Sequence, residues 1–178
     1  MAVSSHQHNR SRRRVDLNCD EAFKKHAPLP AFILLYSAID ILASLTRPIS
    51  QDDTSGPVFK SWVKKYMIAN GSFTWNEEDI WGARCGLLHT YTVQSRSSRG
   101  GISRELHYIS NRKFARFAQK EIDPMAQLKV MVCLPDLIMA FNDGVGRFTM
   151  DVKNDSALQA TVFHHAASLI LHEKKSIT

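Results

Sequence analysis

One short stretch of the sequence, Trp81 to Tyr91, places an arginine and a histidine five residues apart. Arg84 carries a permanently charged, planar guanidinium that can bind a phosphate or stabilise negative charge as it grows there. His89 carries an imidazole, which exchanges protons near neutral pH and can serve as a general acid or base. On a helix, five positions separate the two Cα–Cβ directions by about 140°. A phosphate between them therefore requires the long reach of the arginine or residues from a second subunit.

The motif resembles the signature of a known family. Arg84, His89 and Tyr91, in the spacing Arg-x4-His-x-Tyr, are similar to the motif of HEPN domains, in particular the toxin of HEPN/MNT toxin–antitoxin pairs. The resemblance implies a helical domain that pairs two-fold, so that both motifs meet in one cleft. It also implies metal-independent cleavage of RNA through its own 2′-hydroxyl, without a cofactor. The first interpretation is therefore an endoribonuclease of the toxin type, a homodimer with Arg84 and His89 as catalytic residues.

Three further residues near the motif are candidate contacts for an RNA substrate. Tyr91 matches a tyrosine that a nucleotidyltransferase antitoxin modifies in some HEPN toxins, so such an antitoxin is a candidate partner. Arg96 and Arg99 follow in a Ser- and Gly-rich stretch, where flexible arginines could track a phosphate backbone. Each also has a simpler interpretation, Tyr91 as an aromatic that packs at a helix end and the arginines as a solvated basic loop.

Other interpretations of the motif stay open. Arg84 could be an ordinary surface charge, and His89 a residue favourably placed at the negative end of a helix dipole. Many HEPN ribonucleases have Asn or another polar residue directly after the arginine, whereas this chain has Cys85, so its hydrogen-bonding arrangement at the site departs from theirs. The run from Arg84 to Thr90 resembles that of a group of bacterial proteins, and this resemblance implies a divergent branch of the family. The alternative function is therefore a noncatalytic HEPN-like module that binds RNA, nucleotide or a protein. A third interpretation is a purely structural helical dimer.

The composition fits one globular domain with a basic tail. The chain has 178 residues, of which 44% are hydrophobic and 22% charged, values ordinary for a folded domain of this length. Its formal charge is +6, but the arginines of residues 1–14 contribute most of that excess. Because this segment has almost no apolar side chains, we expect residues 1–14 to form a disordered basic tail and residues 15–178 a single HEPN-like domain.

The sequence lacks the patterns that indicate a membrane span or a metal site. The longest apolar run, Leu29 to Leu45, carries Asp40 and is shorter than the roughly 20 apolar residues of a membrane helix. Three widely spaced cysteines without a CxxC pair favour a reducing cytoplasm. His164, His165 and His172 include two residues on one helical face but no third ligand at suitable spacing. We therefore expect surface or interface histidines, no metal and no membrane.

The hydrophobic pattern predicts a mainly α fold, a helical bundle with a small β element. Residues from Ala31 to Leu45 are almost all apolar, so their helix must be covered on several sides. Asn76 and the three acids that follow it start another helix, which is expected to end near His89 or Tyr91. Three more helices are predicted, from Pro57 to Asn70, from near Pro135, and from near Asp155 to Leu171.

The remaining segments are predicted as strands and a loop. Glu105 to Ser110 and Leu128 to Leu134 have β-compatible runs that could form a small hairpin-like sheet. A helix is expected between them, from Arg112 to Glu121, and Thr92 to Gly101 is expected to be a loop. The three tryptophans are expected in the core: Trp62, Trp75 and Trp81.

Overall fold

The computed structural model describes residues 28–69, 71–90, 95–110, 113 and 128–170. The chain divides into two compact units, Met1–Ser37 and Ala38–Thr178. It is mainly helical with a small two-stranded sheet, as the sequence predicts. The described elements are α1 (Pro28–Ser44), α2 (Gly56–Trp62), a π-helical segment (Val63–Ile68), α3 (Glu77–Thr90), α4 (Arg96–Arg99), β1 (Glu105–Ile109), β2 (Lys129–Cys133), α5 (Leu134–Asn154) and α6 (Ser156–Ile170).

Within the described residues, no helix is long and apolar enough to cross a membrane. The predicted basic tail of residues 1–14 and the predicted helix from Arg112 to Glu121 lie outside the described residues, apart from Lys113.

The helix predicted from Pro57 to Asn70 forms, but only its first half is α-helical. From Val63 onward the chain continues as the π-helical segment, whose wider turns have no signal in the apolar spacing. The guanidinium of Arg147 in α5 donates to the Tyr66 carbonyl, with Nε 2.9 Å from the oxygen. Gly144 lies against the same carbonyl, and a Cβ at that position would approach it to 3.1 Å. The π-helical segment is therefore matched to α5, a residue pairing across 81 positions that local periodicity does not reveal.

An aromatic cluster forms the centre of the second unit. Trp62, Tyr66 and Phe148 are at most 4% exposed, and their ring centroids lie 5.3–6.0 Å apart. Such tilted and edge-to-face pairs contribute about 0.5–1.5 kcal/mol each beyond the area they bury. Trp75 is also buried, which confirms the core prediction for it and for Trp62, whereas Trp81 is only partly buried.

The start of α3 is held by reciprocal hydrogen bonds. The Asn76 side chain accepts from the backbone N–H of Asp79, and the Asp79 carboxylate accepts from the backbone N–H of Asn76. This is the arrangement that the Asn76 cap predicts. Asp79 is only 1% exposed, and its carboxylate also accepts from the Arg104 side chain and backbone just before β1. The cap of α3 therefore also fixes the entry to the sheet.

The sheet is parallel, so the prediction of a hairpin-like sheet is wrong. Glu105 pairs with Lys129 and Ile109 with Cys133, and both strands run in the same direction. A two-residue turn can only join antiparallel strands, whereas parallel strands need a crossover of a dozen or more residues. Residues 110–128 provide that length.

Gly82 lets α3 approach the segment before β1 more closely than any side chain would allow. A Cβ at this position would overlap the hydroxyl and Cβ of Ser103, which is 2% exposed. By contrast, a Cβ at Gly146 on α5 would meet no atom within 4 Å.

We predict opposite effects for alanine at these two helical glycines. Gly82→Ala should lower the free energy of unfolding by about 1–3 kcal/mol, because the added methyl overpacks the contact with Ser103. Gly146→Ala should raise it by about 0.5–1 kcal/mol, because alanine loses less backbone entropy in a helix. Urea unfolding of both variants measures the difference. Equal effects at the two positions would contradict the close approach at Gly82.

Candidate functional site

The candidate motif occupies the second half of α3, and its two principal residues lie on different sides of that helix. Arg84 contacts Asp40 of α1, whereas Gly82 faces Ser95 and Ser103. His89 is seven positions after Gly82, which places it within about 20° of the same helical stripe. His89 therefore occupies the same stripe of the α3 backbone as Gly82, about 10.5 Å further along the helix axis, and Arg84 lies on a different stripe, where its side chain meets Asp40.

Arg84 is held in a half-buried position by an anion and an aromatic ring. Its Nη2 lies 2.7 Å from Oδ2 of Asp40, and the two side chains are 17% and 24% exposed. Its guanidinium carbon also lies 5.2 Å from the centroid of the Trp81 ring, a cation–π contact. Burial alone would lower the pKa of Arg84, but the Asp40 carboxylate outweighs it and raises the pKa above its ordinary value. Arg84 is therefore a fixed positive charge.

Asp40 is the residue of this site that the sequence interpretation missed. It is the one charged residue of α1, and it stood out only as an interruption of an apolar run. A lone carboxylate in such a helix needs a cationic partner once the helix is buried. That signal predicts a cationic partner, but Asp40 and Arg84 are 44 positions apart, so local patterns do not identify which residue it is.

Cys85 is a partly buried free thiol beside Arg84. Burial raises the pKa of the Cys85 thiol, and the opposing effect of the Arg84 guanidinium does not cancel it. The group is therefore protonated at neutral pH and is a poor nucleophile. Cys85 therefore gives the site no negative charge, and its thiol is a weaker hydrogen-bonding group than the side-chain amide of an asparagine.

The structure describes the other proposed site residues to different extents. The backbone of His89 is helical in the last turn of α3, and its side chain lies outside the described part of the structure, as does the whole of Tyr91. Arg96 and Arg99 are described, and both are exposed. Within the described residues, Arg84 and His89 are therefore related by the backbone geometry of α3 alone, and no direct contact links them to Arg96 or Arg99.

The prediction that Thr92 to Gly101 is a loop is wrong for its second half. Arg96 and Arg99 lie on the short helix α4, whose first turn is closed by Ser95 and Ser98. The hydroxyl of each serine bonds to the backbone N–H of the other, and both residues are buried. Serine is common in loops because its hydroxyl bonds nearby backbone groups, and here the same property caps a helix.

The three histidines considered as metal ligands are described to different extents. His165 is 3% exposed, and its Nε2 lies 3.0 Å from the carbonyl oxygen of Arg47, so the prediction of a surface or interface position is wrong for this residue. His164 is exposed, and His172 lies outside the described residues. The described residues contain no group of three His, Cys, Asp or Glu side chains that could hold a metal ion.

Comparison of the chain with protein-family models, with curated proteins and with solved structures finds no match.

We predict that the Arg84–Asp40 pair stabilises the fold more than a surface ion pair does. A double-mutant cycle of Asp40→Ala and Arg84→Ala should give a coupling energy of about 1–2 kcal/mol, because both side chains are largely removed from water. The matched control is the pair of Lys64 and Glu77, whose lysine side chain is 71% exposed. Its cycle should give about 0.2–1 kcal/mol. Equal couplings would mean that solvent screens both pairs alike.

Proposed function

We propose that this chain is a HEPN-like endoribonuclease that cleaves RNA without a metal ion, at a cleft between two copies. The observation that supports the proposal best is that Arg84 and His89 lie on one unbroken helix, in a mainly helical chain. The Arg-x4-His spacing is thereby realised as a rigid distance of about 7.5 Å along the axis of α3. One residue is a fixed cation and the other is of a type that transfers protons near neutral pH.

The reaction needs only these two kinds of group. His89 removes the proton of the 2′-hydroxyl, the 2′-oxygen forms a bond to phosphorus, and the bond from phosphorus to the 5′-oxygen breaks. The departing 5′-oxygen takes up a proton from water, so no third protein group is needed. The products are a 2′,3′-cyclic phosphate and a 5′-hydroxyl end. Arg84 stabilises the additional negative charge that the phosphate oxygens carry in the transition state.

A second copy follows from the directions of the two residues. Arg84 and His89 are about 140° apart around α3, and the Arg84 side chain is directed toward Asp40. A single phosphate reaches both groups more easily when each comes from a different subunit. In this proposal the homodimer is therefore the active form.

The finer assignments belong to the same proposal. Tyr91, Arg96 and Arg99 contact the RNA, and Tyr91 is also the residue that an antitoxin nucleotidyltransferase would modify if the chain is a toxin. The free thiols of Cys85 and Cys133 support a cytoplasmic location, since a reducing compartment keeps thiols unpaired.

A second candidate is a noncatalytic HEPN-like module that binds RNA, nucleotide or a protein. The ion pair with Asp40 favours it, because this carboxylate already neutralises the charge that Arg84 would offer to a phosphate. Cys85, a protonated thiol where many HEPN ribonucleases have a polar side chain, favours it as well. Both candidates predict binding, and only the first predicts that the RNA is cut.

The catalytic proposal predicts cleavage that depends on His89 and not on a metal. Purified chain should cut single-stranded RNA in the presence of EDTA and leave 2′,3′-cyclic phosphate ends. His89→Ala should slow the cleavage by about 10²–10⁴-fold, because it removes the proton-transferring group. Gel analysis of labelled RNA measures the rate, and end-group analysis identifies the products.

The control is His164→Ala, which removes an exposed histidine from α6 and should leave the rate unchanged. Circular dichroism should show the same helix content in both variants. RNA that stays intact with the wild-type chain, or is cut equally well by His89→Ala, would overturn the catalytic assignment and leave the binding module.

A further inference from the structure

Two of the described arginines differ from the others in having no partner. The structure describes six arginine side chains, and four of them are engaged by carboxylates or backbone carbonyls: Arg47, Arg84, Arg104 and Arg147. Arg96 and Arg99 are exposed, and within the described residues neither side chain forms a hydrogen bond or an ion pair. They are three positions apart on α4, which places them about 60° apart on the same side of that helix. The two charges therefore repel each other at a cost of a few tenths of a kcal/mol.

The backbone that carries these arginines is fixed from within. We call residues 95–104 the basic tip. Besides the reciprocal serine cap, the carbonyl oxygen of Ser97 accepts from the N–H of Ile102 at 2.9 Å and from the N–H of Ser103 at 3.3 Å. Gly101 adopts a φ of 71°, in the left-handed region that favours glycine, and turns the chain back toward β1. The basic tip is therefore a closed turn that presents two unpartnered cations.

The base of the basic tip is anchored to α3. The Arg104 guanidinium forms a bidentate salt bridge with the Asp79 carboxylate, with Nε–Oδ1 and Nη2–Oδ2 distances of 3.2 and 2.5 Å. The backbone N–H of Arg104 donates to the same carboxylate at 2.9 Å. A bidentate salt bridge restricts the orientation of the two side chains as well as their positions. Gly82, which lies against Ser103, seats the tip on the helical stripe of His89.

Ile102 adds an apolar contact beside the two cations. Its side chain is 69% exposed, although its backbone N–H is hydrogen-bonded to the carbonyl oxygen of Ser97. Two exposed cations next to an exposed aliphatic side chain suit a chain of phosphates that alternate with sugars and bases. They suit an acidic peptide less well, because its carboxylates would not bring a regular apolar group to Ile102.

We propose that the basic tip is a preformed docking site for the phosphodiester backbone of single-stranded nucleic acid. Arg96 and Arg99 contact neighbouring phosphates, Ile102 contacts a sugar or base, and Arg104 with Asp79 forms a positioning pair. The choice of RNA as the ligand rests on the proposed function. The docking itself does not require cleavage, because none of these residues takes part in proton transfer.

The test measures binding in the full chain with His89→Ala, which prevents cleavage. Fluorescence anisotropy of a labelled RNA oligonucleotide gives the dissociation constant over a range of salt concentrations. Each of Arg96→Gln and Arg99→Gln should reduce the slope of log affinity against log salt by about 0.7, the value for one phosphate contact on a single strand. The double variant should bind about tenfold more weakly at low salt. Ile102→Ser should weaken binding without changing the slope.

Two controls separate docking from general attraction. Lys153→Gln removes an exposed positive charge from the last turn of α5 and should leave the slope unchanged. Arg104→Lys keeps the positive charge but loses the bidentate salt bridge with Asp79, so the affinity for RNA should fall while the salt slope stays unchanged. The comparison is made at temperatures where circular dichroism shows that the variant is folded. A DNA oligonucleotide of the same sequence tests which nucleic acid the basic tip binds. Equal slope losses with DNA and RNA indicate a site for either backbone, and slope losses with RNA alone indicate a site that requires the 2′-hydroxyl.

An unchanged slope in the Arg96→Gln/Arg99→Gln variant would overturn the proposal, as would an equal slope loss for Lys153→Gln. These outcomes differ from failure of the ribonuclease assignment. A chain that binds through the basic tip but leaves RNA intact keeps the docking site and loses the enzyme. A chain that cuts RNA with unchanged binding in the double variant keeps the enzyme and loses the docking site.

Discussion

A carboxylate that is shut away from water must have its charge neutralised and its lone pairs occupied, and Asp79 meets both demands with groups from two parts of the chain. Its oxygens accept four hydrogen bonds, one from the backbone of Asn76 and three from Arg104. The Arg104 side chain is 34% exposed, so the pair is buried only at its carboxylate, and loss of Arg104 would leave that buried charge without its cation. The start of α3 and the entry to β1 are therefore held together, and the rest of the candidate site is built on this junction.

This junction explains how α3 can contribute residues to the candidate site from two of its sides. With its first turn fixed by Asp79, the helix presents one side to Ser103 and the other to α1, where Asp40 meets Arg84. The close approach at Gly82 then places the basic tip against the stripe of α3 backbone positions that includes residues 82 and 89. One buried acid thus sets the position of the tip, and one half-buried acid sets the position of the proposed catalytic arginine.

The sequence predicts those parts of the fold that depend on local periodicity and capping. Asn76 starts α3, and the apolar spacing around Trp62 and Tyr66 identifies the second helix. It does not predict the π-helical turns, whose Tyr66 carbonyl is contacted by Gly144 and Arg147 of a helix far along the chain. It also misses the direction of the sheet and the helix α4, because isolated strand patterns carry no direction and serine favours loops and caps alike. The same limit applies to Asp40, whose partner only the folded chain reveals.

The ion pair between Asp40 and Arg84 restricts how this arginine could act on a phosphate. If the phosphate replaced Asp40, a carboxylate that is 24% exposed would lose its cation, and the desolvation cost would oppose binding. Asp40 contacts Nη2 of the guanidinium, and the centroid of the Trp81 ring lies 5.2 Å from the guanidinium carbon, so both groups fix its orientation. A catalytic role for Arg84, as proposed above, therefore has to be exercised with Asp40 in place, because the alternative leaves a largely buried carboxylate without its cation.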